Sequence, residues 1–122
     1  MSIINERRLL KWVTEFDHRY HPNAYHFVLE ALRFTQCHFK KPRHITGREL
    51  LAGLARLARQ RYGEMALMVF QEWGIESSRD FGNIVFNLVE LGEVKKTEED
   101  RIEDFDTDFD LETELSRIEV IS

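Results

Sequence analysis

Apolar residues recur at helical spacing in five stretches of the chain. The first stretch places Ile3, Leu10 and Val13 on one face, and the second, from Asn23 to about Phe39, leaves only a narrow polar stripe. The pattern predicts helices over residues 3–16, 23–39, 46–62, 64–73 and 78–91. Because the second helix is apolar on most sides, we expect it to lie at the centre of the fold.

The boundaries of the later helices are marked by capping residues. Thr46 with Glu49, and Ser77 with Asp80, form capping-box patterns in which each side chain can bond an unpaired amide of the first turn. Glycines follow the last turns of three predicted helices: Gly63, Gly74 and Gly92.

The predicted fold is mainly α, a compact bundle of about five helices. Residues 1–97 are expected to form the helical domain, and residues 98–122 an acidic C-terminal segment, irregular or weakly β, that packs on the domain or trails from it. An alternative is a winged-helix-like C-terminal half, in which residues 93–97 and 102–109 pair as strands. Alternating Phe and Asp favour that strand by period, but aspartate is disfavoured in strands.

Helical periodicity also predicts the core. Ten residues are expected to be buried: Leu10, Val28, Leu32, Leu54, Leu57, Phe70, Trp73, Phe81, Val85 and Leu88.

Composition narrows the class of protein. The chain has 122 residues, with 43% hydrophobic residues, which is enough for one folded domain. No apolar run approaches the roughly 18–20 residues of a membrane helix. The single cysteine, Cys37, forbids an internal disulfide. These features lead us to expect a soluble, cytoplasmic protein without membrane association.

Charge is divided unevenly along the chain. The net charge is −5, yet residues 1–96 have a surplus of basic residues and residues 97–122 carry only Arg101 and Arg117 against many carboxylates. Such asymmetry is typical of an interaction tail or of a tail that folds back on the body. Phe105, Phe109 and Leu111 could anchor this acidic segment on the body.

The sequence contains only incomplete versions of familiar metal-binding and catalytic sites. His26 and Glu30 share a helix face but supply only half of a zinc site, and His38 cannot easily act as base for its helical neighbour Cys37. Alternating acids from Asp104 onward lack the glycine and final glutamate of an EF-hand loop. We therefore predict no catalytic residue, no cofactor and no bound metal.

Several stretches together resemble a family of small bacterial hypothetical proteins, and the likeness spans about residues 20–110. The stretches are AYHFVLEAL at 24–32, RHITGRELL at 43–51, WGI at 73–75, DFGNIVFNLVE at 80–90 and KTEEDRIEDF at 96–105. The resemblance implies no activity, cofactor or catalytic residue.

A basic cluster is the remaining candidate site. Arg48, Arg56 and Arg59 are expected to project together into solvent, opposite the leucines of the 46–62 helix. The predicted phosphate or partner contacts are Lys40, Lys41, Arg43, Arg48, Arg56 and Arg59. We expect a non-catalytic protein-interaction or adaptor module with an unidentified protein partner. The alternative is a nucleic-acid-associated protein whose basic helix face is masked by the acidic segment; the oligomeric state stays open.

Overall fold

The computed structural model describes residues 1–3, 18–38, 44–107 and 109–116, and their fold is mainly α, as predicted. The helices are α1 (Pro22–His38), α2 (Gly47–Tyr62), α3 (Ala66–Glu72), α4 (Ser78–Glu90) and α5 (Leu111–Leu115). Two 3₁₀ turns cover Gly63–Met65 and Ile102–Phe105, and two short strands are β1 (Ser2–Ile3) and β2 (Val94–Lys95). No described helix has the length and apolar character needed to cross a membrane.

Helix starts follow the capping chemistry expected from the sequence. The N–H of Glu49 donates to the Thr46 hydroxyl at 3.1 Å, and the N–H of Thr46 donates to the Glu49 carboxylate at 2.9 Å. At the start of α4, the N–H of Ser77 donates to the Asp80 carboxylate at 3.0 Å. These bonds satisfy amides that the first helical turn leaves unpaired.

The loop after α3 depends on a glycine. Gly74 has φ 86°, and a Cβ at this position would lie 2.4 Å from the backbone oxygen of Arg19. Only glycine combines this backbone conformation with so close an approach. The loop is thereby held against the start of α1, where the N–H of His21 donates to the Trp73 oxygen at 3.1 Å.

Two sequence predictions about the chain's β structure are corrected. Ile3 was expected to begin a helix, but it lies in β1, which pairs antiparallel with β2 through Ile3 and Val94. Residues 4–16 of that predicted helix lie outside the described residues. In the winged-helix alternative 102–109 would be the partner strand, but 102–105 form a 3₁₀ turn, so that pairing is wrong for these residues. The turn is favoured because the Asp104 carboxylate accepts the N–H of Arg101 at 3.2 Å.

The predicted core is confirmed at eight positions, all of them buried: Val28, Leu32, Leu54, Leu57, Phe70, Phe81, Val85 and Leu88. Trp73 is only half-buried, at the edge of an aromatic cluster with Phe27, Tyr62 and Phe70. Leu10 lies outside the described residues.

Three glycines let neighbouring elements approach closely. Gly53 of α2 faces Thr35 of α1, whose hydroxyl oxygen lies 1.8 Å from where a Cβ would stand. Gly47 and Gly82 both face the ring of Phe105, which is wedged between α2 and α4. The 3₁₀ turn before α5 therefore packs into the same core as the long helices.

Candidate functional site

The leucine stripe of α2 is buried as predicted, and its basic residues lie away from it. Leu50, Leu51 and Leu54 are all buried, whereas Arg48 is exposed and Arg56 and Arg59 are half-buried. The helix thus divides into an apolar face toward the core and a basic face, as its 3.6-residue period requires.

The expectation that three arginines project together into solvent is wrong for two of them. The Arg59 Nη1 donates to the backbone oxygen of Glu114 at 2.6 Å, and the Arg56 Nη1 lies 3.2 Å from the His38 Nε2. The Nε atoms of both arginines are buried. The end of α1 and the C-terminal helix α5 cover this face, and the 3.6-residue period of α2 alone could not reveal neighbours so distant in sequence.

Arg48 remains the one accessible member of the predicted set within the described part of the chain. Its side chain is exposed and has no hydrogen-bond or ion-pair partner among the described residues. Lys40, Lys41 and Arg43, the other predicted phosphate contacts, lie outside the described residues.

Beside Arg48 runs an open groove of about 460 Å³ between α2 and the C-terminal segment. Its lining residues are Arg48, Leu51, Asp106, Thr107, Phe109 and Glu114. Since two carboxylates share the groove with one guanidinium, the lining carries charges of both signs and does not form a uniformly cationic surface.

Of the half-site suggested by His26 and Glu30, Glu30 already has an ion-pair partner. The Glu30 Oε2 accepts a hydrogen bond from the Arg61 Nη2 at 2.5 Å in a partly exposed ion pair. His38, next to the exposed Cys37, stacks on Phe34 with ring centroids 6.0 Å apart. Over the residues that the structure describes, no three His, Cys, Asp or Glu side chains come together as a metal site.

The acidic C-terminal segment is docked through apolar side chains. Phe105, Leu111 and Leu115 are buried, and Phe109 is half-buried against the core. The Ser78 hydroxyl donates to the Phe105 backbone oxygen at 2.6 Å, and Arg79 forms an ion pair with Asp106.

Two described aspartates of this segment, Asp104 and Asp110, stabilise local turns. Asp110 begins α5: its carboxylate accepts the N–H of Thr113 at 3.1 Å and the Thr113 hydroxyl at 2.6 Å. These hydrogen bonds to the charged form lower the pKa of Asp110. Of the alternating acids that resemble a calcium loop, Asp104 and Asp110 are therefore turn and helix caps.

A second surface was not identified from the sequence. Met65 and Met68 are 52% and 53% exposed, the two large apolar side chains that stand exposed among the described residues. Met65 ends the 3₁₀ turn before α3, and Met68 lies in the first turn of α3. We call Met65 and Met68 the methionine face.

The signal for this face is present in the sequence but is weak. Met68 stands opposite the buried Phe70 on the helical wheel of α3, and Met65 lies in the 3₁₀ turn that precedes the helix. In so short a helix the apolar residues cover almost every side, so periodicity does not separate the solvent side from the core side.

No family model, no curated protein and no solved structure matches this chain. The functional argument therefore rests on the chemistry of the two surfaces.

Proposed function

We propose that this protein is a non-catalytic protein-interaction module that binds its partner through the methionine face. The observation that carries the proposal is the exposure of Met65 and Met68, at 52% and 53%. Methionine is flexible and polarizable, and exposed methionines are characteristic of surfaces that accommodate partner side chains. We also propose a cytoplasmic location, in keeping with a single, unpaired cysteine.

The groove beside Arg48 offers binding contacts of several kinds. Its lining combines a guanidinium, two carboxylates and the apolar side chains of Leu51 and Phe109, and the groove is open rather than enclosed.

The position of the methionines provides a direct test. The chain contains three methionines, and Met1 is buried, so a photoreactive methionine analogue places its exposed reactive groups at positions 65 and 68. We expect irradiation in a lysate of the native host to cross-link a protein, with the adduct mapped by mass spectrometry to one of these two positions.

Two controls make this cross-linking result specific. Met65→Gln/Met68→Gln keeps side-chain length and helix propensity and should lose the adduct, and nuclease treatment should leave the wild-type adduct unchanged. Cross-links confined to position 1, or the absence of a protein adduct, would contradict the proposed function.

A second candidate function is contact with nucleic-acid phosphates, favoured by the unpartnered guanidinium of Arg48. Arg59 would join it only if α5 released the bond to the Glu114 oxygen. The test is salt-dependent binding of a DNA duplex, compared between wild type and Arg48→Gln. Unchanged binding in Arg48→Gln, or binding that is insensitive to salt, would exclude phosphate contact at this position.

A further inference from the structure

Exposed carboxylates flank the two methionines in the sequence. Glu64, Glu72 and Glu76 are exposed, and residues 62–78 contain no Lys, Arg or His. The nearest basic side chain in sequence, Arg61, pairs with Glu30 at 2.5 Å and so adds little positive charge. An apolar surface with an acidic border is complementary to a partner that borders its own apolar residues with Lys or Arg.

The shape of the face indicates the kind of element that it accepts. Met65 and Met68 form a ridge at helical spacing along the outer side of α3 and the turn before it. Ridges of this kind pack against the side-chain rows of another helix. The described strands, β1 and β2, already pair with each other, and neither belongs to this surface.

From this ridge and its acidic border, we infer that the methionine face binds a cationic amphipathic helix, with leucine-like residues against Met65 and Met68 and basic residues toward Glu64 and Glu72. This inference rests on the proposed function and names the partner class for the same surface. The apolar contacts supply most of the affinity, and the carboxylates select the sign of the partner's charge.

The experiment compares two synthetic helical peptides of about 14 residues, or four turns, with identical leucine positions. One peptide carries lysine at every polar position and the other carries glutamate. We expect the folded 122-residue protein to bind the lysine peptide at least about tenfold more tightly at low salt, and the preference to shrink as salt is added.

Three double variants test which residues cause the preference for the lysine peptide. Glu64→Gln/Glu72→Gln should remove most of the preference for lysine, and Met65→Gln/Met68→Gln should weaken binding of the lysine peptide. Glu98→Gln/Glu99→Gln changes the net charge equally at exposed positions of another loop and should retain the preference. All three change exposed side chains, so an unchanged unfolding midpoint confirms that each variant is folded.

The outcomes separate this inference from the proposed function. Equal binding of the two peptides, both lost in the methionine variant, would overturn the cationic partner while leaving the face as an interaction surface. A preference lost in Glu98→Gln/Glu99→Gln but kept in Glu64→Gln/Glu72→Gln would overturn the assignment to this face. Binding of neither peptide would overturn the helical partner, whereas the methionine cross-linking result alone decides the proposed function.

Discussion

Two acidic stretches of this molecule differ in whether their apolar side chains are buried. In the C-terminal segment, Phe105 is 1% exposed and Leu111 is 4% exposed, although carboxylates surround them in the sequence. In the stretch from Gly63 to Glu72, Met65 and Met68 remain more than half exposed, although fewer acids surround them. Local hydrophobicity therefore does not decide which apolar residues of this chain are buried.

The difference lies in what each side chain can pack against. Gly47 of α2 and Gly82 of α4 leave room for the Phe105 ring, since a Cβ at Gly82 would stand 3.0 Å from three of its side-chain atoms. The methionines are on the outer side of α3 and of the 3₁₀ turn before it, and the inner side of α3 is already occupied by Ala66 and Phe70. A covered apolar residue stabilises the fold, and an uncovered one is free to bind a partner.

The largest expected effect on stability comes from removing the Phe105 ring, which lies between Gly47 and Gly82. Phe105→Ala should lower the free energy of unfolding by about 3–5 kcal/mol, because it removes a fully buried ring and leaves a cavity. Met68→Ala, on the exposed face, should change the free energy of unfolding by less than about 0.5 kcal/mol. Chemical denaturation of the two variants measures both values, and similar losses would contradict the contrast between the two stretches.

High pH should destabilise the fold around Tyr20, which lies next to the loop after α3. The buried Tyr20 donates to the Asp80 Oδ1 at 2.5 Å and accepts from the Asn83 Nδ2 at 2.9 Å. Burial first, and then the hydrogen bond to Asp80, raise the pKa of Tyr20 from 10.0 to about 12, despite opposing effects of Asn83 and Arg19.

The sign of the pH effect follows from proton binding. Between pH 10 and about 12 the folded protein keeps the Tyr20 proton while the unfolded chain loses it, so stability falls as the pH rises through this window. The loss attributable to Tyr20 is at most about 3 kcal/mol. Denaturation over this range should show a shallower decline in Tyr20→Phe than in wild type, and equal declines would refute the assignment.

A smaller effect is expected from narrowing the space for Phe105. Gly82→Ala should cost about 1–3 kcal/mol, because the added methyl group forces the ring or α4 to shift. In a Phe105→Ala background the same substitution should cost less, since alanine lacks the Cγ and Cδ2 atoms that would lie 3.0 Å from the added carbon. A double-mutant cycle measures this coupling, and strict additivity would show that the glycine does not accommodate the ring.

Much of the helical fold could be predicted because its signals are local. Thr46 with Glu49 marked the start of α2, and the leucine period of α2 identified its buried face correctly. The pairing of Ile3 with Val94 could not be predicted, because a two-residue strand has no readable period and its partner is distant in sequence.

The candidate site was only partly predictable for the same reason. Arg48 is exposed as its helical position indicates, but Arg59 is covered by α5, which only tertiary packing brings against it. Phe105 could be proposed as an anchor from its apolar character. The sequence could not show that Phe105 packs on Gly47 and Gly82, because this depends on how α2 and α4 approach each other.

The smallest expected effect tests whether charge or apolar packing holds the C-terminal segment. Arg79 and Asp106 form an ion pair whose side chains are 41% and 43% exposed, so solvent screens their attraction. Arg79→Gln should therefore cost less than about 1 kcal/mol at low salt, and the difference from wild type should vanish as the salt concentration rises. Arg101→Gln, at an exposed arginine in the same segment, is the matched control for loss of one positive charge. A loss in Arg79→Gln that approaches that of Phe105→Ala, or that persists at high salt, would mean that the ion pair and not the buried ring holds the segment on the helices.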